Sequence, residues 1–448
     1  MLRSMYSGVS GLRIHQTKMD VIGNNIANVN TTAFKSGRVT FNEIFSQTLQ
    51  GASGANGSFG GRNPMQVGLG ANISSIDTLM KEGAAQRTDN PLDIKIEGDG
   101  FFVVKSGGGY KFTRAGAFKI DSIGNLCTPE GLHVMGWNAD PQTGNIVKGK
   151  VNKIQILSPE NMFASPSMTD KATVKGNIDV KNPKLKGAAA EGVIRQLSIY
   201  DSLGYKYTVD VKITQGTSDN KFNVEVVEDS LKDSTGEKVL STPSTPDSGF
   251  PTKPTSVELE FDKATGKIKS GTNKSLDLKL ADTIVASTGF SEFASSIDID
   301  LSNLTIYGSK TTVEAVPGDT HGFGAGCAAG KLSSYEVGDD GKILAKYTNN
   351  KTKLLGQIVL AKFQNPAGLQ KAGNNLFEVT SNSGEFDGVG VDPTADGGRL
   401  NGGVLEMSNV DLSKEFTEMI TTQRGFQANS RIITSSDEML QELVNLKR

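Results

Sequence analysis

The chain has only two cysteines, three histidines and one tryptophan in 448 residues, and its 47 basic side chains are matched by 49 acidic ones. Two thiols as distant as Cys127 and Cys327 form no disulfide framework; they read as separate buried cysteines, with a single bridge as the alternative. A net charge of -2 supplies no global field for nucleic acid or an anionic membrane. No apolar run reaches the roughly 18 residues needed to cross a bilayer. The opening stretch MLRSMYSGVSGLRIHQTKMD lacks the continuous apolar core of a cleavable secretory signal. Composition alone therefore points to the cytosol.

Catalytic patterns are equally scarce. No two of His15, His133 and His321 stand three or four apart, so no helical metal pair is encoded. There is no Gly-x-Ser-x-Gly elbow. The best candidate is HGFGAGCAAG, residues 321–330, where Cys327 would be a nucleophile beside a base. A Gly-rich connection between β elements explains the same residues. Asp298 and Asp300 alternate on one strand face, as a solvated face does. We therefore expect no catalytic residues, no cofactor and no metal.

Glycine is what the chain has in excess: 52 of 448 residues, against a usual share of about 7%. With few aromatics, this suggests many tight turns between short strands. Period-two patterns fill the middle: IKIEGDGFFVV (94–104), TVDVKI (208–213) with a hairpin partner at 222–226, VELEF (257–261) and IDIDL (297–301). LLGQIVLAKF (354–363) reads as a buried strand. STPSTPDSGFPTKP (241–254) reads as an exposed loop and GASGANGSFGGRN (51–63) as a flexible arm.

The two ends are helical. Leu2, Met5, Val9, Leu12, Met19 and Ile26 form a stripe near the amino terminus. Leu412, Phe416, Met419, Phe426, Ile433 and Leu440 do so near the carboxyl terminus. Both stripes are narrow and interrupted by polar residues, which suggests helices that need neighbours on several sides. Ser408 and Asp411 would form a capping box for the second helix. The run NNIANVNTTAFK, with Asn24, Asn25, Asn28, Asn30, Thr31 and Thr32, ends the first helix, because these side chains compete for backbone hydrogen bonds.

The expected architecture is multidomain and mainly β, with nested β domains inserted between terminal α-helices that form a coiled-coil-like inner layer on assembly. Residues 1–34 and 405–448 are the helices and 35–70 an extended arm. Residues 71–146 and 331–404 form an inner β domain, and 147–330 an inserted outer one.

Residues 7–38 (SGVSGLRIHQTKMDVIGNNIANVNTTAFKSGR), NPLDIKIEGDGFFVV, FTRAGAF and the last 44 residues from Leu405 resemble the bacterial flagellar rod and hook axial proteins. IYDSLGYKYTVDV and the stretch from Leu354 to Val379 resemble the hook type in particular. Ala33 departs from the family, which usually has Gly there. The resemblance implies a structural subunit without enzyme activity that polymerises with itself into a flexible helical tube carrying motor torque to the filament. Its implied partners are rod, hook-cap and hook–filament junction proteins and the flagellar export apparatus, with no nucleic acid and no membrane insertion. It implies a place outside the cell, in the hook and basal body, reached without a cleavable signal. The alternatives are a distal rod protein, favoured by residues 41–70, which resemble a rod-stiffening stretch, and a cysteine-dependent enzyme centred on Cys327.

Overall fold

The computed structural model describes residues 2–54, 60–140, 143–185, 191–227, 230–238, 256–278, 293–294, 296–395 and 397–446. The proline-rich loop expected at 241–254, part of the arm at 51–63 and the side chain of Leu2 lie outside the described residues. The described chain is mainly β, with a long helix near each end, α1 (Leu2–Ala27) and α2 (Leu412–Asn445). It forms two compact units: residues 1–158, 335–345 and 353–448, and residues 159–334 with 346–352.

In the first unit, Phe101–Ser106 pairs antiparallel with Gly109–Thr113 on one side and with His133–Asn138 on the other. FFVV is apolar without alternation because both faces of this strand are buried. Phe101 and Val103 share a core with Trp137 and Phe377, while Phe102 meets Phe118 edge-on at 5.0 Å. Residues 147–158, expected in the outer block, belong here: Asn152–Lys153 pairs with His133–Asn138, and Val151 enters the Trp137 core. LLGQIVLAKF is two strands, Thr352–Ile358 and Leu360–Ala361, rather than one.

The stretch read as an extended arm is laddered. Gly37–Glu43 pairs with Ala71–Thr78, and Ser46–Gln50 with Met65–Gly68. Two further pairs act on the chain ends. Ile94–Glu97 pairs with Arg399–Gly402, and Ala85–Arg87 with Val404–Glu406. Nested in this way, they bring the segment that enters α2 back to the segment that follows α1.

The second unit is a sandwich of two sheets over one core. Val193–Tyr200, Lys206–Gln215, Lys221–Val226 and Val257–Glu260 form an antiparallel sheet in that order. Its inward residues, such as Val209, Val211 and Phe222, meet Val174, Leu276 and Ile299 from the second sheet. In that sheet Lys171–Asn177 runs parallel to Ile297–Asp300 and antiparallel to Glu314–Pro317. Ile297 and Ile299 are buried, which leaves Asp298 and Asp300 on the other face.

Candidate functional site

The two terminal helices pack against each other within the chain, antiparallel. Ser4 Oγ lies 3.5 Å from Ser436 Oγ, Lys18 pairs with Glu418 at 3.2 Å, and Asn25 Nδ2 donates to Glu415 Oε1 at 3.2 Å. Between these points the helices meet through glycine. A Cβ on Gly8 would come within 3.2 Å of Ile433 Cγ1, one on Gly11 within 2.6 Å of Asn429 Nδ2, and one on Gly425 within 2.8 Å of the His15 ring. A glycine inside a helix costs about 1 kcal/mol relative to alanine. At these three positions, close approach of the partner helix is what offsets that cost. Gly23, which has nothing within 4 Å of an added Cβ, has no such compensation.

The intrachain contacts thus run through glycines and polar side chains, of which Asn25 and Ser436 are buried. His15 belongs to this contact, its Nδ1 buried without a partner. Burial, and then Lys18, push its pKa down. Burial raises that of Glu415.

The apolar stripe read from the sequence is incompletely covered. Met5, Leu12, Met19 and Ile26 are half-buried and Val9 is exposed; on α2, Met419, Ile433 and Leu440 are half-buried while Leu412, Phe416 and Phe426 are exposed. Of these, Ile433 touches Gly8. Further apolar side chains, among them Tyr6, Ile420, Ile432, Met439, Leu443 and Val444, also face outward.

The capping box did not form. Asp411 itself caps α2, accepting from the N–H groups of Ser413 and Lys414, so the helix begins one turn later than a box on Ser408 requires.

The amide run does more than end α1. Asn28 Nδ2 donates to the backbone and side-chain oxygens of Asn24, and Thr31 Oγ1 donates to Asn28 Oδ1. Asn25 holds both backbone groups of Gly37: its Nδ2 donates to Gly37 O and its Oδ1 accepts from Gly37 N–H, each at 2.9 Å. Thr32 O accepts from Asn375 Nδ2, and Asn30 is exposed. Ala33 takes the left-handed conformation, φ 56°, without being glycine. The cost for such a residue is roughly 1–2 kcal/mol. Its N–H donates to Glu406 O at 2.8 Å, which holds it there.

Beneath this turn sits a buried ionic latch that the sequence did not reveal. Lys35 Nζ donates to Glu406 Oε1 at 2.7 Å and to Lys81 O at 2.8 Å; the two charged side chains are 1% and 0% exposed. Gly83 N–H donates to the same Oε1, and Arg114 Nη1 lies 3.9 Å from Oε2. Burial lowers the Lys35 pKa despite the neighbouring carboxylate. Asn409 adds a second tie, accepting from Ser36 N–H and donating to Leu79 O and Lys81 O. The latch joins the exit of α1 to the entry of α2.

The cysteine readings also change. Cys327 is half-exposed, not buried; its Sγ lies 3.3 Å from Ser167 Oγ and 3.6 Å from Asn349 Nδ2, while His321 Nδ1 faces Thr320 Oγ1. These contacts assemble no thiol–base pair. Cys127 is buried but not alone, because His133 and Asp121 stand beside it.

The fold and the helix pair thus describe a β-rich protein that presents paired terminal helices with uncovered apolar side chains. Comparison with known proteins gives the particular group. Four family descriptions match along the chain: "Flagella basal body rod protein" at residues 5–35, "Flagellar hook protein FlgE/F/G D1 domain" at 95–176, "Flagellar basal body protein FlaE D2 domain" at 182–320 and "Flagellar basal body rod FlgEFG protein C-terminal" at 401–446. The chain is 37% identical to the flagellar hook protein FlgE of Borreliella burgdorferi and 34% to that of Treponema pallidum, with 100% of each chain covered. It is also 30% identical to the flagellar basal-body rod protein FlgG of Bacillus subtilis over the full length of both. The chain belongs to the flagellar hook and rod protein family.

Proposed function

We propose that this chain is a structural subunit of the bacterial flagellar hook, not an enzyme, which polymerises with itself into a flexible tube transmitting torque. The observation that carries this reading is the uncovered apolar surface of the terminal helices. Eight large apolar side chains on α2, and Leu446 at its end, are exposed. At about 1.5–3 kcal/mol per side chain fully buried, covering what is exposed is worth on the order of 10 kcal/mol. Association of two bodies costs about 4–15 kcal/mol. A single neighbour covers only part of this surface and does not offset that cost, whereas several neighbours together cover all of it for one loss of the incoming subunit's freedom. That arithmetic favours a polymer over a dimer. The helices then line the inner wall, and contacts between polar β surfaces, whose ion pairs are worth up to about 1 kcal/mol each, can slide during bending.

The partners on this reading are rod, hook-cap and junction proteins, with delivery by the flagellar export apparatus and a final place outside the cell. A rod role is the second reading, supported by the full-length similarity to FlgG. Electron microscopy of tubes grown from concentrated protein distinguishes the two: curved tubes mean hook, straight tubes mean rod. Removal of residues 1–30 should abolish the tubes, and tubes formed by the truncated chain would overturn the role given to the helices.

A further inference from the structure

We propose that Asp121, Cys127 and His133 form a binding site for a borderline-soft divalent cation of the zinc class. Cys127 and His133 are directly opposite each other on adjacent antiparallel strands. Cys127 Sγ lies 3.2 Å from His133 Nδ1 and 3.9 Å from Asp121 Oδ2, and one ligand atom from each of the three falls within 4.8 Å of the others. Around a tetrahedral zinc ion, with bonds of about 2.3 Å to sulfur and 2.0–2.2 Å to nitrogen and oxygen, such atoms stand roughly 3.6 Å apart. The two measured separations lie on either side of that value, so small side-chain adjustments suffice.

The carboxylate is already oriented. Asp121 Oδ1 accepts from the N–H groups of Ile123 and Asn125, and Oδ2 accepts from Asn125 Nδ2. Hydrogen bonds of this kind, made behind a ligand, fix its direction. They leave a lone pair on Oδ2, the oxygen that faces Cys127 Sγ, since each carboxylate oxygen accepts about two hydrogen bonds. Cys127 is buried, while His133 and Asp121 are half-exposed, so a fourth position would open to solvent.

Thiolate with imidazole selects zinc, cobalt or copper over magnesium or calcium. Without a metal, burial and then Asp121 push the Cys127 pKa up and keep the thiol protonated. On binding, the sulfur–metal bond forms as the S–H proton leaves to solvent. Sequence spacing concealed the group, because the ligands come from a turn and two short strands rather than a helix or a paired-cysteine motif.

The test is titration of the full-length, chelator-treated protein with cobalt(II), followed through the near-ultraviolet thiolate-to-cobalt band. One equivalent should produce the band in the wild type and in Cys327→Ser, and a tenfold excess of magnesium should leave it in place. Cys127→Ser should abolish it, and Asp121→Asn or His133→Gln should weaken affinity at least tenfold. Thermal melting monitors folding; if Cys127→Ser fails to fold, the half-exposed His133→Gln decides. Absence of the band at saturating cobalt, or a band unaffected by His133→Gln, overturns the proposal.

Discussion

Replacing Glu406 by Gln removes one charge and almost no volume, yet it should be among the most damaging single changes in the first unit. Glu406 is the acceptor for Lys35 Nζ and for Gly83 N–H and is the near anion of Arg114. Both cations are at most 3% exposed, so Glu406→Gln leaves them buried without their counter-charge. Removing one member of a buried pair costs about 3–5 kcal/mol. At roughly 2–4 °C per kcal/mol for a large domain, the melting transition of the first unit should fall by roughly 6–20 °C. The assay is calorimetric or circular-dichroism melting, with the transition of the second unit as internal reference. Because burial outweighs the carboxylate at Lys35, the pair is not itself a large net stabiliser. The double change Lys35→Met with Glu406→Leu should therefore cost much less than the two single changes added together. A loss below about 1 kcal/mol for Glu406→Gln, or additive single and double losses, would refute the reasoning.

The glycines of the helix pair should behave oppositely by position. Gly23→Ala, in open space, should stabilise by about 0.8–1 kcal/mol. Gly425→Ala should gain the same propensity but lose about 1–3 kcal/mol by displacing the His15 ring, so equal gains in urea unfolding would disprove the packing role of Gly425. The lowered pKa of His15 makes the unfolded chain take up its proton first. Its contribution is thus full above about pH 6.5 and is lost as pH falls through that value towards the folded one. Glu415, whose pKa is raised, works the other way: its contribution is present below about pH 4.5 and lost as pH rises through its folded value. Urea midpoints in a Glu415→Gln background should fall between pH of about 7.5 and 5.5, and adding His15→Gln should flatten that slope. Phe426→Asp, at an exposed site on α2, should leave the melting temperature nearly unchanged while preventing tube growth by light scattering; normal growth would remove Phe426 from the assembly surface.

The helical ends, the β middle and the flagellar family blocks could be read directly from the chain, because each depends on local periodicity or contiguous residues. Period-two alternation located Lys206–Gln215 and Ile297–Asp300, and the amide run located the end of α1. Periodicity, however, counts apolar side chains and is blind to shape. It marked Leu412, Phe416 and Phe426, which remain uncovered, and passed over Gly8, Gly11 and Gly425, where the helices come close because no side chain stands between them. Local rules also paired Ser408 with Asp411 in a capping box and read residues 35–70 as an arm, whereas Asp411 alone makes the cap and strands within 37–50 and 65–68 are laddered. The latch between Lys35 and Glu406 joins residues 371 positions apart. No spacing rule links such residues; nested strand pairs do, by carrying Glu406 back to the turn after α1. Cys127 and His133 are close in sequence, but only their position opposite each other across two strands brings sulfur and nitrogen to 3.2 Å. The chain alone thus determined which segments are helix and strand, and long-range pairing decided which side chains meet.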